Sequence, residues 1–434
     1  MSRKDTSPFE IKLDAVVGGG QTIGTHPDGR KVFVWGGLPG ETVTVQPTKI
    51  RSRLIEGHVI AVADPSPERV EPSDPDSYLS TSPWQIMSFP AEQHYKSCLI
   101  EEAFELHDIV LPNPIVTYSD DNIYGYRNKM EYSFWWDNDT AKLSLAFFKR
   151  GSHNKIAVSG TSIGSPAIEQ AAKNLVGVLN ARQAAGFDLK TAILRSTSQG
   201  DVVMQLYVKT TEFGHFSDDE FSQLGIAGFE LIYSDPRSPA SKISERLQSL
   251  GDTTLMDKIL NVPFYYAAES FFQVNLPVYE KALTDMGQWV PAGKKVLDLY
   301  SGVGSIGLTI GGDDCTLVEI NESAVREMKR NIKQLGIKAS AVLSPSEAVV
   351  DTITGDETII VDPPRAGLHK DLVESLRDKK PTRIIYLSCN PVTQARDVAL
   401  LCADDTYGIA YHQGYNFFPR TPHIEHLVVL EAKN

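Results

Sequence analysis

From about residue 265 onward, strand-like and helical segments alternate along the chain, and this alternation constrains the fold more than any other feature. Strands are predicted at 295–299, 317–320, 339–343, 358–361 and 383–387, with a helix over 323–335. Such alternation indicates βαβ units on a mostly parallel sheet. Two later strands are predicted at 407–417 and 426–431, one of them antiparallel.

The preceding residues follow different patterns. Short strand-like runs at 11–17, 31–35, 41–47 and 55–62, separated by glycine- and proline-containing turns, indicate a small barrel or sandwich. A stretch over 63–83 rich in Pro, Ser and Asp is interpreted as a linker or an irregular surface segment. The following strands, together with helices at 92–107 and 167–183, predict an α+β domain. We therefore expect a multidomain α/β protein divided at 1–63, 64–264 and 265–434, in which the helix over 92–107 can pack on the third domain.

Length and composition exclude several classes of protein. The 434 residues exceed what one core usually organises, and 41% hydrophobic with 22% charged residues is typical of a globular chain. The sequence has neither an export signal nor the run of about 18 apolar residues that a membrane helix requires, so we expect a cytoplasmic protein with no membrane partner. Four unpaired cysteines and scattered histidines predict no disulfide framework and no metal site.

A glycine-rich turn marks a candidate cofactor site. Residues 296–307 predict a strand that runs into the turn Gly302-Val-Gly304 and then into a helix, an arrangement that binds ligands at the end of a strand. Glu319 ends the next predicted strand, where a carboxylate can accept hydrogen bonds from a ribose. Asp298 would repel a pyrophosphate but can hold a cationic amino-acid group. We favour S-adenosylmethionine over a nicotinamide cofactor; a tight turn without ligand is the alternative.

Two further loops follow predicted strands at the same edge of the sheet. Asp362-Pro-Pro-Arg365 is stiffened by its prolines, and Cys389 follows the next strand. A cysteine at this edge can act as a nucleophile, although a small buried hydrophobic residue is an equal alternative. Cys315 and Cys402 lie in apolar sequence and are interpreted as inert packing residues.

Taken in order, the motifs resemble those of the RNA 5-methyluridine (uracil-C5) methyltransferase family over nearly the whole chain. They comprise Phe271-Phe-Gln-Val-Asn275, Asp298-Leu-Tyr-Ser-Gly-Val-Gly304, Val318-Glu319, Asp362-Pro-Pro-Arg365, Ser388-Cys-Asn-Pro391 and His423-Ile-Glu425-His426. Gly37-Leu-Pro-Gly-Glu41 is similar to part of the family's TRAM domain, and Tyr126-Arg-Asn-Lys129 to part of its central domain. The resemblance implies a carboxy-terminal Rossmann-like methyltransferase domain, an amino-terminal TRAM barrel of oligonucleotide-binding type and a central α+β RNA-binding domain.

The same resemblance implies roles for six residues. Gln273, Tyr300, Glu319 and Asp362 would contact S-adenosylmethionine. Cys389 would be the nucleophile that adds to carbon 6 of a uracil, and Glu425 the base that removes the carbon 5 proton. His423 and His426 are interpreted as orienting or packing residues.

The chain departs from the family in two ways. Many members hold an iron–sulfur cluster through cysteines, but 78–87 and 161–165 contain none, so we expect no iron–sulfur cluster. Ser305 replaces an asparagine of some members, which puts one cofactor contact in doubt.

The partner expected from the resemblance is RNA, ribosomal or transfer RNA, with a flipped uridine in a loop or bulge. The net charge of −13 argues against a general polyanion binder. Basic residues nevertheless cluster locally, and aromatic residues lie among those of the central domain, a composition suited to single-stranded RNA. The basic residues are Lys49, Arg51, Arg53, Arg127, Lys129, Lys149, Arg150 and Lys155, and the aromatic residues are Tyr126, Tyr132, Trp135 and Trp136. A solvated surface is the alternative interpretation.

Two other functions stay open from sequence alone. One is a methyltransferase for cytosine or an amino group, because a cofactor turn does not report the acceptor. The other is an RNA-binding protein or chaperone with an idle methyltransferase domain. We expect a monomer.

Overall fold

The computed structural model describes residues 6–433, and its first 60 residues form a closed barrel. The strands are β1 (Phe9–Val16), β2 (Thr22–Thr25), β3 (Lys31–Trp35), β4 (Thr42–Ile50) and β5 (Leu54–Asp64). They close in the order β1-β2-β3-β5-β4, with alternate side chains buried inside. A small barrel was predicted, but β2 was not, because four residues that include a glycine carry little strand signal.

The stretch predicted over 63–83 as a linker or an irregular surface segment contains only the short helix α1 (Tyr78–Thr81) beyond the end of the barrel, but it is packed. Helix α2 (Phe89–Glu105), in the region predicted as a helix over 92–107, and strand β6 (Thr117–Tyr118) follow. Trp84 and Met87 are buried. Asp74 accepts hydrogen bonds from Nε2 of Gln85 (2.9 Å) and Oγ of Ser162 (2.8 Å). These bonds join the two stretches in which the family resemblance places cluster cysteines.

A seven-stranded sheet follows. Its elements are β7 (Lys129–Asp137), β8 (Lys142–Phe148), β9 (Lys155–Val158), α3 (Pro166–Ala181), β10 (Leu189–Ser196), β11 (Val202–Val208), α4 (Asp218–Leu224), β12 (Gly228–Tyr233) and β13 (Glu245–Gly251). The strand order is β13-β12-β11-β10-β7-β8-β9, and only β11 and β12 run parallel. Apolar residues of α3 and α4 share one core with this sheet.

The remaining residues alternate between strands and helices. The elements are β14 (Leu255–Ile259), β15 (Val262–Tyr266), α5 (Leu276–Gly287), β16 (Val296–Leu299), α6 (Gly307–Ile310), β17 (Cys315–Glu319), α7 (Glu322–Leu335), β18 (Ser340–Leu343), β19 (Thr358–Val361), α8 (Lys370–Lys379), β20 (Arg383–Ser388), α9 (Pro391–Cys402), β21 (Tyr407–Tyr415) and β22 (Glu425–Ala432). Three short 3-10 helices lie at Ser346–Ala348, Val350–Thr352 and Ala403–Asp405.

These strands form an eight-stranded sheet in the order β18-β17-β16-β19-β20-β22-β21-β6. Strands β16 to β20 are parallel, whereas β22 is antiparallel to β20. The carboxyl ends of β16, β17, β19 and β20 and the amino end of β22 therefore lie at one edge. This geometry brings distant parts of the chain to one place.

Segments from both sides of residue 264 share the core of the eight-stranded sheet. Ile100 and Phe104 of α2 pack with residues of α8 and α9, and Leu255 and Phe264 of the β14–β15 hairpin pack with α5. The division at 1–63, 64–264 and 265–434 stays a prediction. Among the described residues, no helix is long and apolar enough to cross a membrane.

Candidate active site

The glycine-rich turn leaves β16 with a left-handed backbone. Tyr300 has φ of +61° and Gly304 has φ of +86°. A Cβ at Gly304 would lie 3.0–3.1 Å from three surrounding side chains, so both conformation and space favour glycine there. Oδ2 of Asp298 accepts a hydrogen bond from the amide of Gly307 (3.0 Å).

Asp298 therefore lies beneath the turn and orders it. The side chain is fully buried, and burial raises its pKa to about 8. Its other oxygen, Oδ1, has no hydrogen-bond partner among the described residues, so the expectation that Asp298 holds a cationic group of the ligand stays a prediction.

All six residues singled out from the sequence line one cavity of about 770 Å³, which we call the main cavity. They are Gln273, Tyr300, Glu319, Asp362, Cys389 and Glu425. Four of them lie where a strand of the eight-stranded sheet ends or has just ended, and Glu425 begins β22. Ser388 pairs with His426 across β20 and β22, so Cys389 and Glu425 lie at the same end of this strand pair.

One end of the cavity suits a nucleoside, and we call it the cofactor end. Glu319 accepts hydrogen bonds from the amides of Gly302 (2.9 Å) and Asn321 (2.7 Å), which fix its carboxylate at the mouth of the turn. The neighbouring Ile320 is 68% exposed and offers an apolar surface beside this acid. A ribose diol can donate hydrogen bonds to this carboxylate, and the face of a purine fits the apolar surface beside it. A second cavity of about 640 Å³ shares Tyr300, Glu319 and Ile320 with this end.

The opposite end, which we call the reaction end, contains two carboxyls, of which Glu425 is buried and Asp362 is partly buried. Asp362 and Glu425 have no hydrogen-bonded side-chain partner within residues 6–433. Burial raises the pKa of Asp362 to about 7. Burial and the Asp362 charge raise the pKa of Glu425 well above its usual range. Burial, then Glu425 and Asp362, raise the pKa of the Cys389 thiol to about 11, and the Arg365 guanidinium opposes them.

Cys389 and Arg365 also line a separate cavity of about 380 Å³, which we call the outer cavity. Trp35 of the barrel and Arg150, which follows β8, also line this cavity. The Arg150 guanidinium lies 4.3 Å from the centre of the Trp35 ring. His423 lies between, with Nδ1 3.3 Å from Nη2 of Arg365. Cys389 is therefore reached from two sides.

The barrel meets the chain just before Glu425. The carbonyl oxygen of Gly20 accepts a hydrogen bond from Nε1 of Trp84 (2.9 Å). A Cβ on Gly20 would lie 2.0 Å from Cβ of Pro422, so the backbone of the β1–β2 turn is seated directly on this segment.

A buried ionic cluster holds the residues between β21 and β22. Glu92 accepts hydrogen bonds from the amide of Arg420 (3.0 Å) and from Nδ2 of Asn416 (2.9 Å). Lys96, also on α2, lies 3.1 Å from Glu92 and donates to the carbonyl oxygen of Phe418 (3.1 Å). Sequence reasoning missed these residues, because no local pattern links α2 with a segment more than 300 residues away.

The basic and aromatic cluster expected to contact RNA is only partly exposed. Tyr126 and Tyr132 are buried, and the amine of Lys129 donates to a backbone carbonyl. Trp135 and Trp136 are exposed, at 42% and 39%. The prediction that these tyrosines contact RNA at an exposed surface is wrong. Alternate residues of β7 face the core, and the alternation of Met130, Tyr132 and Phe134 in the sequence already indicated their burial.

The histidines of the last motif differ in environment. His426 is fully buried, with Nδ1 2.7 Å from Oε1 of Gln394, and acts as a packing residue. His423 lies in the outer cavity. Burial, followed by the Arg365 charge, lowers the pKa of His423 to about 4, so its imidazole is neutral.

Comparisons with known proteins agree with this geometry. Residues 349–433 match the family model described as tRNA (uracil-5-)-methyltransferase. A curated RNA methyltransferase of Nitratidesulfovibrio vulgaris is 26% identical over 98% of this chain and 96% of its own length. Another, from Lactiplantibacillus plantarum, is 29% identical over 94% and 93%. Both are described as uncharacterized.

One solved structure matches nearly the whole chain. The Pyrococcus abyssi tRNA (uracil-54, C5)-methyltransferase, in complex with S-adenosyl-L-homocysteine, has a TM-score of 0.79 at 22% identity, over 98% of this chain and 100% of that chain. These findings confirm the resemblance to the RNA uracil-C5 methyltransferases and a methyltransferase fold that combines mixed sheets with a five-stranded barrel.

Proposed function

We propose that this S-adenosylmethionine-dependent RNA methyltransferase transfers a methyl group to carbon 5 of a uridine in RNA. The observation that carries the proposal is the position of Cys389, which lines both the main cavity and the outer cavity. A methyl donor in one and a nucleotide in the other would meet at this thiol.

The cofactor end suits S-adenosylmethionine, which supplies an electrophilic methyl group on a positively charged sulfur. Glu319 would accept hydrogen bonds from the ribose, and Tyr300 would contact the nucleoside. Gln273 and Asp362 would contact the amino-acid portion nearer the reaction end. No metal is needed for this chemistry.

Cys389 would act as the nucleophile. Its thiolate adds to carbon 6 of the uracil, which makes carbon 5 electron-rich enough to take the methyl group. The buried carboxyls oppose ionisation of the thiol, so added positive charge is needed beside it. Arg365 supplies one such charge and the bound sulfonium supplies another, because a nearby opposite charge favours the ionised form.

Glu425 would complete the reaction as the general base. After carbon 5 has gained the methyl group, its proton passes to the Glu425 carboxylate, the sulfur–carbon 6 bond breaks, and the Cys389 thiolate is released. The high pKa of Glu425 suits this step, since a carboxylate with a raised pKa is a stronger base.

RNA would reach Cys389 through the outer cavity. The target uridine must leave its stack to enter, which favours a loop or bulge in transfer or ribosomal RNA. In this proposal the barrel is the TRAM domain, the seven-stranded sheet the central domain and the eight-stranded sheet a Rossmann-like domain. A monomer acting in the cytoplasm is part of the same proposal.

Tritium release tests the proposal. The protein and S-adenosylmethionine are incubated with unmodified transfer RNA or ribosomal RNA made from uridine tritiated at carbon 5, and Cys389→Ala serves as the comparison variant. We expect tritium to appear in water with one RNA class and to be lost with the variant. No release from either RNA by a protein that binds the cofactor would contradict the proposal and favour another acceptor atom or an idle RNA-binding role.

A further inference from the structure

One wall of the main cavity has no regular secondary structure of its own. Residues 269–274, which we call the wall segment, lie between β15 and α5, outside any helix or strand. Its side chains from Glu269 to Gln273 line the cavity. A segment of this kind takes its position from whatever binds its backbone, because it has no ladder of internal hydrogen bonds.

The backbone of the wall segment is held by the seven-stranded sheet. Five of its six carbonyl oxygens, those of residues 269, 270, 272, 273 and 274, accept hydrogen bonds from that sheet or the residue before it. The donors are three residues: Asn128, Lys129 and Arg195.

Arg195 makes the two central bonds. Its Nη1 donates to the carbonyl of Ser270 (2.6 Å) and its Nη2 to the carbonyl of Phe272 (2.5 Å). The side chain has no exposed surface, and its guanidinium lies 5.0 Å from the centre of the Tyr266 ring, which stacks on Phe272 at 4.1 Å. A buried charge is costly unless it is hydrogen-bonded. The bonds to the wall segment satisfy Nη1 and Nη2, whereas Nε has no partner among the described residues, so this arginine depends on the wall segment and holds it in turn.

Asn128 and Lys129 continue the same contact. Nδ2 of Asn128 donates to the carbonyl of Gln273 (2.9 Å), and the amide of Asn128 donates to that of Val274 (3.2 Å). Nζ of Lys129 donates to the carbonyl of Glu269 (3.1 Å). Lys129 and Arg195 are opposite each other in the β7–β10 pair, so all three donors come from one end of two adjacent strands.

We propose that Arg195 is a positioning residue that sets the affinity for the methyl donor by holding the wall segment in place. The inference rests on the proposed function of the main cavity. Arg195 does not line that cavity and acts through the backbone that carries Phe272 and Gln273. The seven-stranded sheet would thus contribute to cofactor binding in addition to any contact with RNA.

Arg195→Lys tests this role. A lysine keeps the charge, but its single ammonium cannot make the two parallel hydrogen bonds of a guanidinium or its planar stacking. We expect the dissociation constant for S-adenosyl-L-homocysteine, measured by calorimetry, to rise about tenfold. The KM for S-adenosylmethionine should rise similarly, whereas the KM for RNA and the kcat at saturating cofactor should change less than about threefold.

Arg182→Lys is the matched control. Arg182 also donates to two backbone carbonyls, those of Gly214 and His215, and lies 4.2 Å from the ring of Phe216, which belongs to a different core cluster from Phe272. We expect this variant to bind the cofactor product like the wild type. If Arg195→Lys does not fold, Asn128→Ala removes one bond to the wall segment and should weaken binding about threefold.

Four results separate the outcomes. A folded Arg195→Lys protein that binds as tightly as the wild type overturns the inference, as does equal weakening in Arg182→Lys. If Arg195→Lys fails to fold, wild-type affinity in Asn128→Ala overturns it as well. A wild-type protein that does not bind S-adenosyl-L-homocysteine or methylate RNA contradicts the proposed function itself, whatever the variants do.

Discussion

The two ends of the main cavity hold their carboxylates in different ways. At the cofactor end, Glu319 accepts hydrogen bonds from two backbone amides, which fix its orientation. At the reaction end, Glu425 is buried and Asp362 is partly buried, and the pKa values of both are raised. Fixed hydrogen bonds suit binding, whereas a carboxyl poised between its two protonation states suits proton transfer. In the proposed function, this difference corresponds to recognition at one end and chemistry at the other.

The nucleophile gives the largest test of this division. Cys389→Ala removes the only thiol in the cavity among the residues described, and we expect turnover to fall by at least about 10³-fold. Binding of S-adenosyl-L-homocysteine should stay within about twofold, because the cofactor end is unchanged. Cys402→Ala, outside the cavity, is the control and should keep its activity. Methyl transfer by Cys389→Ala at the wild-type rate would contradict the covalent route.

The base gives the next largest effect. Glu425→Gln keeps the shape but removes the proton acceptor, so we expect turnover to fall by about 10²- to 10⁴-fold. A methylated RNA–protein adduct should accumulate and be visible on a denaturing gel. Glu431→Gln in the same strand, where Glu431 pairs with Arg383, serves as the control. Loss of activity without an adduct would assign Glu425 to an earlier step.

Substitution at the cofactor end should change the KM for S-adenosylmethionine rather than kcat. Glu319→Gln weakens hydrogen bonds to a ribose by about 1–2 kcal/mol, so we expect the KM for S-adenosylmethionine to rise about tenfold with kcat nearly unchanged. Glu322→Gln, an exposed residue three positions later, should have no effect. A lower kcat at unchanged KM would break the distinction between the two ends.

The smallest effect concerns pH. The raised pKa of Asp362, about 7, and the raised pKa of Glu425 keep these carboxyls protonated in acid, where no base is available. The rate at saturating substrates should therefore rise with pH through neutrality. In Asp362→Asn one negative neighbour is gone, the pKa of Glu425 falls, and this limb should move to lower pH. A limb that stays in place would show that the two carboxyls do not interact.

Much of the candidate site was predictable because it depends on strand ends. Residues that follow parallel strands meet at one edge of a sheet, which brings Tyr300, Asp362 and Cys389 together whatever the details of packing. Glu425 belongs with them because β22 runs in the opposite direction and begins where β20 ends. The motif order and strand alternation were sufficient for this much.

The remaining features depend on contacts that no local pattern encodes. Arg195 is one basic residue in a strand, and only the packing of two sheets reveals that it bonds Ser270 and Phe272. Sequence shows that Asp298 precedes the turn, but not that its Oδ2 accepts a hydrogen bond from the amide of Gly307. The depth of a side chain is a tertiary property, and a lone acid or arginine carries no periodic signal for it.

The seat of Gly20 on Pro422 bears on how this protein would select a site in RNA. With the barrel resting on the segment that leads to Glu425, the spacing between the barrel surface and Cys389 is set by the fold rather than by a flexible tether. An RNA strand that touches both must span a constant number of nucleotides. The barrel would then fix the distance between the bound strand and the target, so that an insertion of one nucleotide beside the target would move the reactive uridine away from Cys389.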